Sequence, residues 1–295
     1  MTQNEQAAHN LLGIGLMIAA MAILPFLDVI AKMLGQRDVP IIQIVWARIS
    51  FGALITLPLA ARVSGAKGLL PKRPIFHSFR ALFLIMATFF FFYALKFMSI
   101  ADTLAIFFVQ PLIVTALSPF ILKERVGPRR WAAVFVGFIG TLIIIRPGFQ
   151  EMNAGMFLAL AAGTSLAFYM LMTRRISGQT HAMVTTFHTN LMGAVIVSVL
   201  VCFNWSTPTA GEWGSFMLLA FVAVAGHYLI VRAYDYSEAS LLAPFAYSEI
   251  VMATILGWYF FDDFPDGFTF LGVAILISSA IYISLRERRA IFNIS

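Results

Sequence analysis

The chain has 295 residues, 60% of them hydrophobic and only 12% charged, with a mean hydropathy of +0.88. This excludes an ordinary soluble domain and predicts an all-α integral membrane protein. A net charge of +6 would suit a nucleic-acid partner, but the basic residues fall between apolar spans, which assigns them to membrane orientation and leaves no nucleic acid to bind.

The amino terminus is polar, has no Lys or Arg before the first apolar span and lacks a small-x-small cleavage site, so the first span reads as a retained helix. Ten spans follow one another at 11–31, 41–60, 81–98, 103–122, 131–145, 154–172, 183–203, 213–231, 241–261 and 268–285. No hydrophilic segment between them is long enough for a soluble domain. The lone Cys202 excludes an intrachain disulfide, and no metal or other cofactor is expected.

In the first span Asp28 and Lys32 are four apart and share a face at its outer end. They either pair there or form an outer gate. Arg48 lies within the second span, where it must snorkel to the inner surface or counter Glu249 or an anionic substrate. The third span holds Phe89–Phe92 and Tyr93 in a row. With Phe107, Phe108, Tyr169 and Tyr247 these supply rings enough for a flat aromatic ligand. The fourth carries Gln110 beside Pro111, a polar group next to a kink that would free backbone carbonyls. His188 and Asn190 in the seventh span and His227 in the eighth either bond neighbouring helices or contact a ligand.

The ninth span is the most informative. It opens with Pro244, either a helix start or a hinge, and carries Glu249 well inside. An acid at that depth costs about 2.5–3.5 kcal/mol on insertion scales and defaults to a functional hypothesis. Ala246, Glu249, Ala253 and Gly257 fall three or four apart on one small-residue face, which predicts close helix packing and an inward-facing Glu249.

With both termini cytoplasmic, fifteen Lys and Arg flank the inner side and four the outer. A shift of 139 residues places Gln110 on Glu249 and Glu124 on Asp263, and one near 142 places Gly13 on Gly155 and Arg48 on Asn190. Five spans per repeat require the second copy to be inverted, over 11–149 and 152–289. Inverted repeats are a hallmark of secondary transporters, with the site near the midplane.

The run 110–148, QPLIVTALSPFILKERVGPRRWAAVFVGFIGTLIIIRPG, resembles the end of a repeat in the EamA family of the drug/metabolite transporter superfamily. Trp46-Ala47-Arg48 fits that family's early arginine pattern, whereas Ala133 stands where a glycine is usual. Ala243–Glu249, followed by Phe264-Pro265-Asp266, is similar to a bacterial branch that includes riboflavin and S-adenosylmethionine uptake transporters. The resemblance implies a multi-pass protein of the bacterial inner membrane that binds a small molecule, with a homodimer compatible with it. Riboflavin uptake is the first expectation, S-adenosylmethionine uptake the second and export of amino acids or related metabolites the third. The expected substrate contacts are Glu249, Gln110, Tyr247, Tyr93, Phe107, Tyr169, Asn190 and His227. Gating or coupling is expected of Glu249, Arg48, Asp28, Lys32, Pro244 and Pro111. An enzyme is disfavoured, because neither H-E-x-x-H nor G-x-S-x-G occurs; nor does a G-x-x-x-x-G-K-[ST] loop that would bind nucleotide.

Overall fold

The computed structural model describes residues 3–98, 100–124, 126–145 and 154–262, together with 267, 268, 270–272, 274, 275, 278, 279 and 282. Arg125, Arg146, Arg286, Arg288 and Arg289 of the orientation count, the loop 263–266 and much of the tenth expected span lie outside the described residues, as does the side chain of Pro244.

The described residues are all-helical. The long helices are α1 (Gln3–Gly35), α2 (Ile41–Ser64), α3 (Pro74–Ala94), α7 (Ala154–Arg175), α8 (Ala182–Val201) and α9 (Ala210–Tyr236). Shorter ones are α4 (Ile100–Phe107), α5 (Val109–Ile121), α6 (Pro128–Ile145), α10 (Ala239–Leu242) and α11 (Glu249–Phe261), the last two joined by a 3-10 stretch at Ala243–Ser248. Seven stretches among the described residues are long and apolar enough to cross a membrane: the six long helices and Ala239–Phe261. Large apolar side chains such as Phe120, Phe157 and Phe221 point outward, as a lipid-facing surface requires.

The helices pack in pairs, α1 on α9, α2 on α8 and α3 on α7. The shorter pieces fill the ends of this arrangement, α4 and α5 against α7, and the 3-10 stretch and α11 against α1.

Two expected spans are broken. The fourth divides at Phe108 into α4 and α5. Pro111 has no N–H to offer the carbonyl four residues back, that of Phe107, and its ring would collide with it. The ninth, expected as one helix over 241–261, changes to 3-10 geometry before Glu249, with Pro244 in its first turn. Where the small face was expected it is found: Ala246, Glu249, Ala253 and Gly257 are all buried.

The break at Phe107 requires a glycine opposite. A Cβ on Gly163 of α7 would lie 2.3 Å from the Phe107 carbonyl oxygen, a clash with backbone that no side-chain adjustment relieves. Gly163→Ala should therefore destabilise the fold by about 1–3 kcal/mol, in the range of other overpacked sites. Gly211→Ala, where a Cβ meets open space, is the control. Thermal unfolding in detergent should lower the midpoint for the first and leave the second within error of the parent protein.

Candidate functional site

The breaks bring two polar groups to one place. Glu249 is the first residue of α11 and Gln110 the second of α5, so each sits where a broken span resumes as α-helix. Both line a central cavity. Asp28, Arg48, Thr88 and His227 line it too, with Phe91, Phe92 and Phe107 among its apolar walls.

Asp28 was expected at the outer end of its helix. It is instead 6% exposed and deep, because α1 continues to Gly35, seven residues or about 10 Å further. Lys32, one turn on, lies with its ammonium 4.5 Å from the centre of the Phe261 ring. Glu249 is 7% exposed. Asp28 stands close enough to both Arg48 and Glu249 to interact with each electrostatically.

Arg48 does not snorkel. It is buried at mid-bundle, and its guanidinium is held by the Thr88 hydroxyl on one side and His227 Nε2 on the other. The other ring nitrogen of His227 is 3.4 Å from the Tyr169 hydroxyl. These contacts hold the guanidinium in place without neutralising it. The carboxylates differ: neither Asp28 nor Glu249 has a hydrogen-bond or ion-pair partner among the described residues. Two acids and one arginine thus face one space. Gln110 adds an amide whose NH2 is 2.7 Å from the Met170 sulfur, a weak acceptor.

Tyr169 and Asn190 line a second, smaller cavity with Thr186 and Thr189, separated from the first by Arg48 and His227. Two expected contacts lie elsewhere. Tyr247 turns toward α6, its hydroxyl 3.4 Å from the Val134 carbonyl and its ring against Gly137 and Phe108. Tyr93 is 38% exposed, stacked on Phe89 and approached by Lys96. Of the aromatic run, only Phe91 and Phe92 reach the cavity. Pro111 marks the break in the fourth span, and the backbone of Pro244 that in the ninth. His188 packs edge-on against His77, away from the centre.

Thr88 was not singled out from the sequence, where a threonine in an apolar helix carries no signal. Glu124 belonged to the Lys-Glu-Arg-Val turn, and its role there is now visible. It bonds Arg174 Nε at 2.9 Å and accepts from the backbone N–H groups of Ala239 and Ser240 at 3.1 and 3.2 Å. Glu124 therefore caps α10 from a distant loop and fixes the chain that leads to Glu249.

A helical bundle with seven stretches long and apolar enough to cross a membrane among the described residues is that of a multi-pass membrane protein. The chain belongs to the EamA-like transporter family, which it matches at residues 11–146 and 153–285. It is 26% identical to an S-adenosylmethionine uptake transporter of Rickettsia bellii, covering 97% of this chain and 98% of that protein. A riboflavin transporter of Vibrio cholerae is 28% identical over 63% of each chain. A pseudopaline exporter of Pseudomonas aeruginosa is 24% identical over 95% of this chain and 99% of its own. A crystal structure at 20% identity superposes with a TM-score of 0.75, covering 96% of this chain and 98% of its own, a likeness of fold alone. The family and these relatives are transporters, not enzymes, and this chain is a transport protein for a small metabolite.

Proposed function

We propose that the protein is a secondary transporter of the bacterial cytoplasmic membrane that takes up a small metabolite bearing both positive charge and an amino-acid end, with S-adenosylmethionine the lead substrate. The observation that carries this is the pair of carboxylates on the central cavity, Glu249 with no cationic neighbour among the described residues and Asp28 with Arg48 near it but not bonded to it. A buried charge without a partner is costly, so a cationic ligand would supply the missing partner. Arg48, fixed by Thr88 and His227, suits the ligand's carboxylate, and Phe91, Phe92 and Phe107 suit an adenine ring. Riboflavin, neutral and without an ammonium or sulfonium group, leaves both acids unpaired and becomes the second reading. The R. bellii relative supports the first, since it aligns over nearly all of both chains.

The proposed architecture is ten membrane helices in two inverted repeats, 11–149 and 152–289, both termini cytoplasmic. Its support is the pairing pattern. Exchanging α1 with α7, α2 with α8 and α3 with α9 converts the α1–α9 contact into the α3–α7 contact and returns α2–α8 to itself. It also relates α5 on α7 to α11 on α1. Rocking of the two halves would then expose the cavity to either side in turn, driven by a gradient or by exchange.

The test is a competition panel in right-side-out vesicles with labelled S-adenosylmethionine. Saturable uptake is expected, competed by unlabelled substrate and not by riboflavin. Uptake of labelled riboflavin alone would replace the first reading with the second. Release of preloaded amino acids with neither compound taken up would favour export.

A further inference from the structure

Arg80 is buried, yet it takes no part in the central cavity. The apolar run of the third span begins at 81, but α3 begins at Pro74 and Arg80 lies within it, 0% exposed. Its Nη1 lies 3.3 Å from His77 Nδ1, while Nε and Nη2 have no hydrogen-bond partner. No described carboxylate forms an ion pair with it. Its other neighbour is Tyr169, whose hydroxyl interacts with the guanidinium and whose ring centre is 5.5 Å from the guanidinium carbon. A guanidinium held dry with two open N–H donors is expensive unless something anionic visits it. Its planar fork matches a carboxylate.

The surroundings give the site a place on a route. Tyr169 also reaches His227, which holds Arg48, so polar groups run without a break from the central cavity to Arg80. The second cavity, lined by Arg48, Tyr169, Thr186, Thr189, Asn190 and His227, lies along this line. Beyond Arg80, His77 meets His188 with ring centres 4.9 Å apart, and His188 Nε2 lies 3.0 Å from the Gly68 carbonyl. That last contact closes the route under the α2–α3 connection.

We propose that Arg80, flanked by Tyr169, His77 and His188, is a second binding station for a carboxylate, one step beyond Arg48 on the way from the central cavity to the α2–α3 face. The proposal rests on the central cavity being a transport route. An amino-acid substrate would pass its carboxylate from Arg48 to Arg80, so that the anionic end is never left unpaired in the bundle. The His77–His188–Gly68 contact then opens to release it.

Acetate is the probe, with the full chain in nanodiscs and chloride at equal ionic strength as reference. The Arg48→Gln protein silences the central guanidinium. Acetate should raise its melting temperature saturably, and the effect should vanish in the Arg48→Gln/Arg80→Gln protein. With Arg80→Lys in place of Arg80→Gln, half-saturation should need about 10-fold more acetate, since a lysine cannot form the two parallel bonds. No stabilisation of the Arg48→Gln protein, or equal stabilisation of the double variant, overturns the station. Should Arg48→Gln not fold, the parent and Arg80→Lys proteins are compared, and an unchanged half-saturation overturns it. S-adenosylmethionine uptake by the parent protein is read separately: its absence removes the named substrate, while the acetate titration still decides the station.

Discussion

Glu249→Gln should abolish most uptake while leaving the fold as stable as before, or more so. The carboxylate has no partner among the described residues, so its removal breaks no bond that holds helices together. In an apolar span a neutral amide is less costly than an acid, whose insertion penalty is about 2.5–3.5 kcal/mol at the centre of a helix. A substrate cation, by contrast, loses a charge-assisted hydrogen bond worth about 1.5–3 kcal/mol. That corresponds to roughly 10- to 100-fold in affinity. Asp28→Asn should act in the same direction, and because both acids face one cavity the double variant should depart from additivity. Uptake kinetics in vesicles and thermal unfolding in detergent give the two readouts. Undiminished uptake, or a fall in stability equal to the fall in uptake, would show Glu249 to be a packing residue.

Glu124→Ala should do the opposite and weaken the fold itself. Its side chain is 6% exposed and gathers three donors, the Arg174 guanidinium and two backbone N–H groups that open α10. Removing the carboxylate strands the two N–H groups and Arg174 Nε, while Arg174 Nη1 keeps the Tyr234 carbonyl at 2.6 Å. The Arg174 side chain is about one-quarter exposed, so water relieves part of the loss. About 2–4 kcal/mol remains, the cost of unsatisfied helix-start donors together with a broken, mostly buried ion pair. Glu124→Gln keeps an acceptor without the charge and should fall between. In a double-mutant cycle, Glu124→Ala and Arg174→Ala should together cost less than the sum of the two. Uptake should drop as well, since α10 feeds through the 3-10 stretch into Glu249. An additive cycle would mean that the contact contributes no coupling energy.

Several features were legible without coordinates. Apolar runs of about twenty residues identify the spans, because the hydrocarbon thickness sets a length and a length can be counted. Glu249 and Gln110 stood out for a related reason: an acid deep in such a run, or an amide beside a proline, violates the local rule, and violations concentrate at functional sites. The small-residue face of 246, 249, 253 and 257 could be read because helical spacing is local.

Depth and rotation could not be read. Asp28 was placed at the surface because the apolar run fades near residue 31, although the helix runs on to Gly35. Arg80 falls among the inner-flank charges for the mirror reason, α3 starting seven residues before its apolar run. Tyr93 and Tyr247 share the sequence character of Phe92 and Phe107, yet only the latter two reach the cavity. In a soluble protein the polar face of a helix reveals which side is out; a membrane helix is apolar all round, so its rotation is decided by packing. The sequence alone determined the class of protein and the apolar character of the seven described stretches long enough to cross a membrane, and it singled out Glu249 and Gln110. Only the tertiary structure decided that Asp28, Arg48 and Glu249 line one cavity, that Thr88 and His227 hold Arg48, and that Glu124 fastens the chain leading to Glu249. Those are contacts between residues tens to hundreds of positions apart, and only the packing of helix on helix brings them within reach.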